Sequence, residues 1–152
     1  MAETQVDVSQ LPLPQLNEIK QQMEQEMQVL TGSFGTLKTA LAKFNASGQS
    51  VATLSPENAD KQILVPLTES LYVPAKLASV SSVIVDVGTG YYTEQSVDDA
   101  KAYYKRRAEY LTKNIQNLQA TMSEKQKQYG MVCEVMQAKI MMEQQKQAQE
   151  SS

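Results

Sequence analysis

One heptad register runs unbroken through the first third of this chain. With position a set at Leu13, the a positions are Leu13, Lys20, Met27, Phe34, Leu41 and Gly48. The d positions are Leu16, Met23, Leu30, Leu37, Phe44 and Val51, and ten of the twelve are apolar. A 3.5-residue period held over more than five heptads predicts a coiled-coil helix, because amphipathic helices of globular proteins drift away from that period. Gly32 and Gly35 fall on the outer face at f and b, where each costs about 1 kcal/mol of helix propensity but removes no packing.

A second stripe closes the chain. Ser96-Val97-Asp98-Asp99 reads as an N-cap followed by acids that suit a helix N-terminus. From there Tyr104, Ala108, Leu111, Ile115, Leu118, Met122, Lys125, Tyr129, Val132 and Met136 alternate spacings of four and three, and nine of the ten are apolar. Beyond about residue 143 the sequence is Gln, Lys, Glu and Ser, and fraying is expected. The two flanks carry 24 of the 31 charged residues and 16 of the 19 Gln, and no Pro lies between Gln15 and Ser55 or after Pro74. Such segments suit helices.

The middle reads differently. Ile63–Leu67 and Leu71–Val73 are short apolar runs with Thr68-Glu69-Ser70 between them. Val83–Val87 is β-branched at four of five positions, then comes Gly88-Thr89-Gly90, then Tyr91-Tyr92-Thr93. Each pattern predicts a β-hairpin. The expected organisation is one α+β, mostly α, domain over 1–152: a first helix over about 12–54, two hairpins over about 62–95 and a second helix over about 97–145.

A connection of about 45 residues returns the chain on itself, so the helices should form an antiparallel pair. If Phe44 meets Tyr104, paired numbers total about 148: Leu37 then meets Leu111, Leu30 meets Leu118, and Leu13 lies near Val135. The seam residues singled out are Leu16, Met23, Leu30, Leu37, Phe44, Tyr104, Leu111, Leu118 and Met136. This arrangement has no closed core. Four short strands with apolar residues on both faces are marginal alone and invite pairing with other chains. Ile63, Val65, Leu67, Leu71, Tyr72, Val73, Val83, Val85, Val87, Tyr91 and Tyr92 are therefore the candidate assembly residues, joining a β-barrel between subunits.

The residue inventory excludes most chemistry. There is no His, which removes imidazole catalysis and imidazole metal sites. A lone Cys133 supports neither an internal disulfide nor a thiolate zinc cluster. No catalytic residue, metal or cofactor is expected. Basic and acidic residues number 14 and 17, a net charge of −3, so no footprint for nucleic acid or anionic lipid is expected. Apolar runs are too short to span a membrane. The polar start, with Glu3 and Asp7, has no apolar signal region, so a soluble intracellular protein is expected. Gly88-Thr89-Gly90 lacks the helix and Lys-Ser/Thr of a phosphate loop and reads as a hairpin turn. Cys133 reads as a half-buried structural thiol, Lys105-Arg106-Arg107 as a solvated face or a contact for an acidic neighbour, and Asp98-Asp99 as helix capping.

Ile63-Leu64-Val65-Pro66-Leu67-Thr68, Ser70-Leu71-Tyr72-Val73-Pro74 and Val85-Asp86-Val87-Gly88-Thr89-Gly90-Tyr91-Tyr92, followed by Asp99-Ala100-Lys101 and Lys105-Arg106, closely resemble the signature of the α-type subunits of prefoldin. The likeness extends over essentially the whole chain. It implies a hetero-hexamer of two α-type and four β-type subunits, with a body of β-barrels and six projecting coiled coils. It also implies an ATP-independent co-chaperone that captures non-native actin, tubulin and other chains at the coiled-coil tips and delivers them to the cytosolic group II chaperonin. The implied location is the cytoplasm, with a nuclear pool left open.

Six of the eight Met lie near the expected tip. Met23, Met27 and Met136 are seam residues and read as core. Met131, Ile140, Met141 and Met142 lie off the seam and are the candidate client contacts, since unbranched, polarizable side chains repack against many partners. The other reading of the whole chain is a coiled-coil tether or adaptor that binds one folded partner. An apolar, unpatterned tip favours the chaperone.

Overall fold

A computed structural model of the chain describes residues 10–150; the acidic start with Glu3 and Asp7 lies outside the described residues. The element order is α1 (Leu13–Ala52), a short 3-10 turn (Pro56–Asn58), β1 (Gln62–Pro66), β2 (Tyr72–Lys76), β3 (Ser82–Gly88), β4 (Tyr91–Ser96) and α2 (Val97–Glu150). α2 continues past the end expected near 145, because its last residues are strong helix formers with neither Pro nor Gly to stop them. α1 ends where Pro56 approaches: Ser55 is extended at φ −127° and ψ 159°, the backbone that a following Pro imposes. Ser96 caps α2, its Oγ accepting the Asp99 N–H at 3.1 Å and donating to Asp99 Oδ2 at 2.7 Å, a reciprocal cap.

The twelve heptad positions of α1 are all half-buried or buried, and so are the ten stripe positions of α2. The chain divides into two compact units, one of residues 37–113 and one made from the chain on either side of it.

In the unit of residues 37–113, β1 pairs with β2 and β3 with β4, both antiparallel, as two separate two-stranded sheets. Pairs run from Gln62 with Lys76 to Pro66 with Tyr72, and from Ser82 with Ser96 to Gly88 with Tyr91. The β3–β4 register shifts between Asp86 and Gly88, and Gly88, Thr89 and Gly90 turn the chain with φ of 105°, 51° and 82°. Glycine at two of those three positions removes the strain of a left-handed backbone. On the helices of this unit the Phe44 and Tyr104 rings meet at 6.2 Å. A Cβ added at Gly48 would lie 3.4 Å from Tyr104 Cβ, so Gly48 stands level with Tyr104 and the Phe44 ring reaches it from a turn away.

In the other unit the helices are cross-linked by polar side chains. Lys125 Nζ donates to Glu26 Oε2 at 2.5 Å, Tyr129 Oη to Glu24 Oε1 at 2.6 Å, and Lys139 Nζ to the Leu11 carbonyl at 2.5 Å. Paired numbers here total between 150 and 153, not 148. The expected partnerships of Leu30 with Leu118 and of Leu13 with Val135 are thus displaced by most of a turn. An aromatic contact is a poor ruler for backbone register, because the ring reaches along the helix as well as across it.

Candidate functional site

Among the described residues, six hydrophobic side chains are buried: Leu16, Val85, Val97, Ala100, Ile115 and Val132. Apart from Val29 and Tyr110, the large apolar residues left exposed lie in the hairpins or on α2 from Met131 onward. These are the two candidate surfaces.

The hairpins differ in cover. Along β3–β4 the cross-strand pairs Val83 with Gln95 and Val85 with Thr93 share a face, and none of the four is exposed. The opposite face, with Ile84 paired to Glu94, carries an exposed Ile84. β1–β2 has no such inner face: every residue from Gln62 to Lys76 is exposed except Ala75, which is half-buried. Ile63, Val65, Leu67, Leu71, Tyr72, Val73, Val87, Tyr91 and Tyr92 are all exposed, whereas Val83 is half-buried. Val85 departs from its expected role. Its side chain is 1 % exposed within this chain, so it packs the inner face of β3–β4 and is not free for a neighbour. Period-2 alternation tells which residues share a face but not which face the chain itself covers. For the same reason the alternation does not single out Leu64 and Ile84, although both lie in apolar runs and are 67 % and 74 % exposed.

On α2, Met131, Ile140, Met141 and Met142 are all exposed. Met23, Met27 and Met136 are half-buried in the seam. At 3.6 residues per turn the eleven-residue step from Met131 to Met142 is close to three whole turns, so these two share an outer face. Met141 lies a quarter turn from them. Ile140 falls instead on the flank of the seam, beside half-buried Met136 and Lys139. The four residues therefore line two sides of the helix.

Polar groups fix the seam beneath them. The Lys125 ammonium beside Glu26, helped by a hydrogen bond from Gln22, holds the Glu26 carboxyl below its ordinary range. Tyr129 is pushed up, first by its hydrogen bond to the Glu24 carboxylate, then by burial and by Cys133. Cys133 is half-buried on the same stretch. Among the described residues no three metal-ligating side chains gather, and no helix is long and apolar enough to cross a membrane.

Comparison with known proteins agrees with this geometry. The sequence profile of the Prefoldin family, described as prefoldin subunit, matches residues 17–141. The chain belongs to the prefoldin family. It is 40% identical over 135 residues to human prefoldin subunit 5, covering 89% of this chain and 88% of that one. It is 43% identical over 136 residues to a probable prefoldin subunit 5 from fission yeast, covering 88% of each. The fold is also that of the filamentous PFD of Methanocaldococcus jannaschii solved by cryo-EM, with a TM-score of 0.68 at 20% identity over 77% of this chain and 97% of that one. Membership of the prefoldin family supports a co-chaperone role and association with other prefoldin subunits. In this fold two long helices flank two small hairpins, and the barrel is formed between subunits, which accounts for hairpins that close no barrel of their own.

Proposed function

We propose that this chain is one of two α-type subunits in a hetero-hexameric prefoldin completed by four β-type subunits. It holds non-native proteins without ATP by its exposed α2 side chains and passes them to the cytosolic group II chaperonin. Actin and tubulin are proposed clients, and the cytosol, where that chaperonin resides, is the proposed location. The observation that carries the reading is the exposure of Met131, Met141 and Met142, at 57 %, 65 % and 63 %, on a helix whose seam is otherwise covered. Flexible thioether side chains left in water adapt to many sequences, as a holding chaperone requires and a partner-specific tether does not.

The test compares hexamers carrying this chain with hexamers carrying an Ile140→Ser, Met141→Ser, Met142→Ser chain. Assembly should be intact, since none of the three lies on a strand. Capture of chemically denatured actin should weaken, because apolar contact contributes about 25 cal/mol per Å² removed from water. Multivalent holding blunts the loss from one subunit, so binding is read by titration as well as by suppression of aggregation. Equal capture by both hexamers overturns the assignment of these residues.

A further inference from the structure

Beside the β3–β4 turn, in the unit of residues 37–113, lies a cavity of about 370 Å³. Lys43, Phe44 and Ser47 line it from α1, Asp86 from β3, and Tyr103 and Arg107 from α2. The Arg107 guanidinium sits 5.7 Å from the centre of the Phe44 ring, and Tyr103 packs edge-on against Tyr104 at 5.4 Å. Asp86 is already engaged, its Oδ1 accepting the Gly88 N–H at 2.8 Å. Among the described residues no ion pair involves Lys43 or Arg107. The adjoining stretch of α2 sharpens the imbalance, since 102–110 holds Lys105, Arg106 and Arg107 against the single carboxylate of Glu109.

We propose that this cavity is a docking site for an acidic, aromatic-containing segment of a partner protein. One carboxylate of that segment sits between Lys43 and Arg107, and a neighbouring apolar side chain packs against Phe44 and Tyr103. The chemistry favours it on three counts. A guanidinium already stacked on a ring loses little freedom when it takes a bidentate carboxylate. The volume is that of a small ligand pocket, enough for a few side chains and too small for a folded domain. A nucleic-acid backbone fits poorly, because its phosphates need a continuous row of cations, and here the Asp86 carboxylate interrupts them. The site shares no residue with the Met-bearing end of α2, so it stands or falls independently of client holding.

The experiment uses assembled prefoldin containing this chain and a fluorescein-labelled hexapeptide alternating Glu and Phe, read by anisotropy. The peptide should bind, and its Gln-for-Glu counterpart should not. Lys43→Gln with Arg107→Gln should weaken binding about tenfold, since two screened charge contacts are removed. Lys113→Gln, outside the lining, should leave it unchanged. Co-elution with partner subunits and unchanged helix content verify that each variant folds. Equal binding of the Gln peptide, or an unaffected double variant, overturns the proposal. So does binding to the free chain but not to the assembly, which places a neighbouring subunit in the cavity. Tighter binding of a single-stranded oligonucleotide through the same two cations overturns it as well.

Discussion

The Phe44 and Tyr104 rings lie 6.2 Å apart at 51°, and the Arg107 guanidinium sits over the Phe44 ring at 5.7 Å. This aromatic joint links α1 to α2 in the strand-bearing unit. Phe44→Ala should therefore destabilise that unit by about 2–3 kcal/mol, less than the about 3–5 of a fully buried Phe because Phe44 is only half-buried. Urea denaturation of the assembled complex, followed by circular dichroism, measures it. A change under about 0.5 kcal/mol, the scale of an ordinary surface substitution, would show that the joint contributes nothing.

The two faces of β3 make a paired prediction. Val85→Asp places an unpartnered carboxylate in a side chain's worth of buried space and should cost about 4 kcal/mol or more, unfolding the hairpin. Ile84→Asp, one residue away on the exposed face, should leave the chain's own helix content intact yet block co-elution with partner subunits. The same holds for Leu64→Asp on the uncovered β1. Full co-elution of either variant would remove the strands from the assembly surface.

The seam, the order of elements and both hairpins were legible because each rests on a period: 3.5 for the helices, 2 for the strands. Ser96 was legible as a cap because its hydroxyl, with Asp99 three residues on, is a local motif. What a period does not hold is offset and cover. The axial slide of one helix past another depends on side-chain volumes at particular levels. Thus Gly48, facing Tyr104, was invisible as a contact, and Glu26 could not be matched to Lys125 across 99 residues. The burial of Val85 escapes the pattern for the same reason, since only tertiary packing decides which face of a hairpin its own chain covers. The cavity at Lys43 and Arg107 gathers residues from three elements, and no spacing within one element announces it.

Acid should loosen the unit that carries Glu26. Its carboxyl is held below the ordinary 4.5 by the Lys125 hydrogen bond, so the folded form binds that proton more weakly than the unfolded chain does. The stabilisation is complete above about pH 4.5 and is lost as pH falls through the depressed value. Glu26→Gln should flatten this part of the acid response without altering stability's dependence on pH above 6. Thermal melts from pH 6 to pH 3 measure it, and identical slopes for both proteins would refute the linkage.

Alkali should act through Tyr129 with the opposite sense. Its hydroxyl donates to Glu24, so ionisation is disfavoured in the fold and its pKa lies above the ordinary 10. Stability from this group is present below pH 10 and declines as pH rises beyond it, because the unfolded chain releases the proton first. Tyr129→Phe should lose the hydrogen bond at pH 8 yet fall less steeply between pH 9.5 and 11. A parallel decline for both proteins would show that the Tyr129 proton is not linked to folding.

Glycines within the helices separate cost from purpose. A Cβ at Gly32 would meet nothing within 4 Å, and the residue lies on the exposed outer face of α1. Gly32→Ala should accordingly stabilise by about 1 kcal/mol, the propensity difference in an open helical site. Gly48 stands at an a position, where a Cβ would come within 3.4 Å of Tyr104 Cβ. There the same propensity gain is opposed by crowding against a fixed backbone-proximal atom, so Gly48→Ala should gain less than half as much or turn destabilising. Urea midpoints of the two variants in the assembled complex, compared at equal slope, decide it. An equal gain at both positions would mean that the helices at Gly48 have room to spare and that its close approach to Tyr104 does not set their spacing.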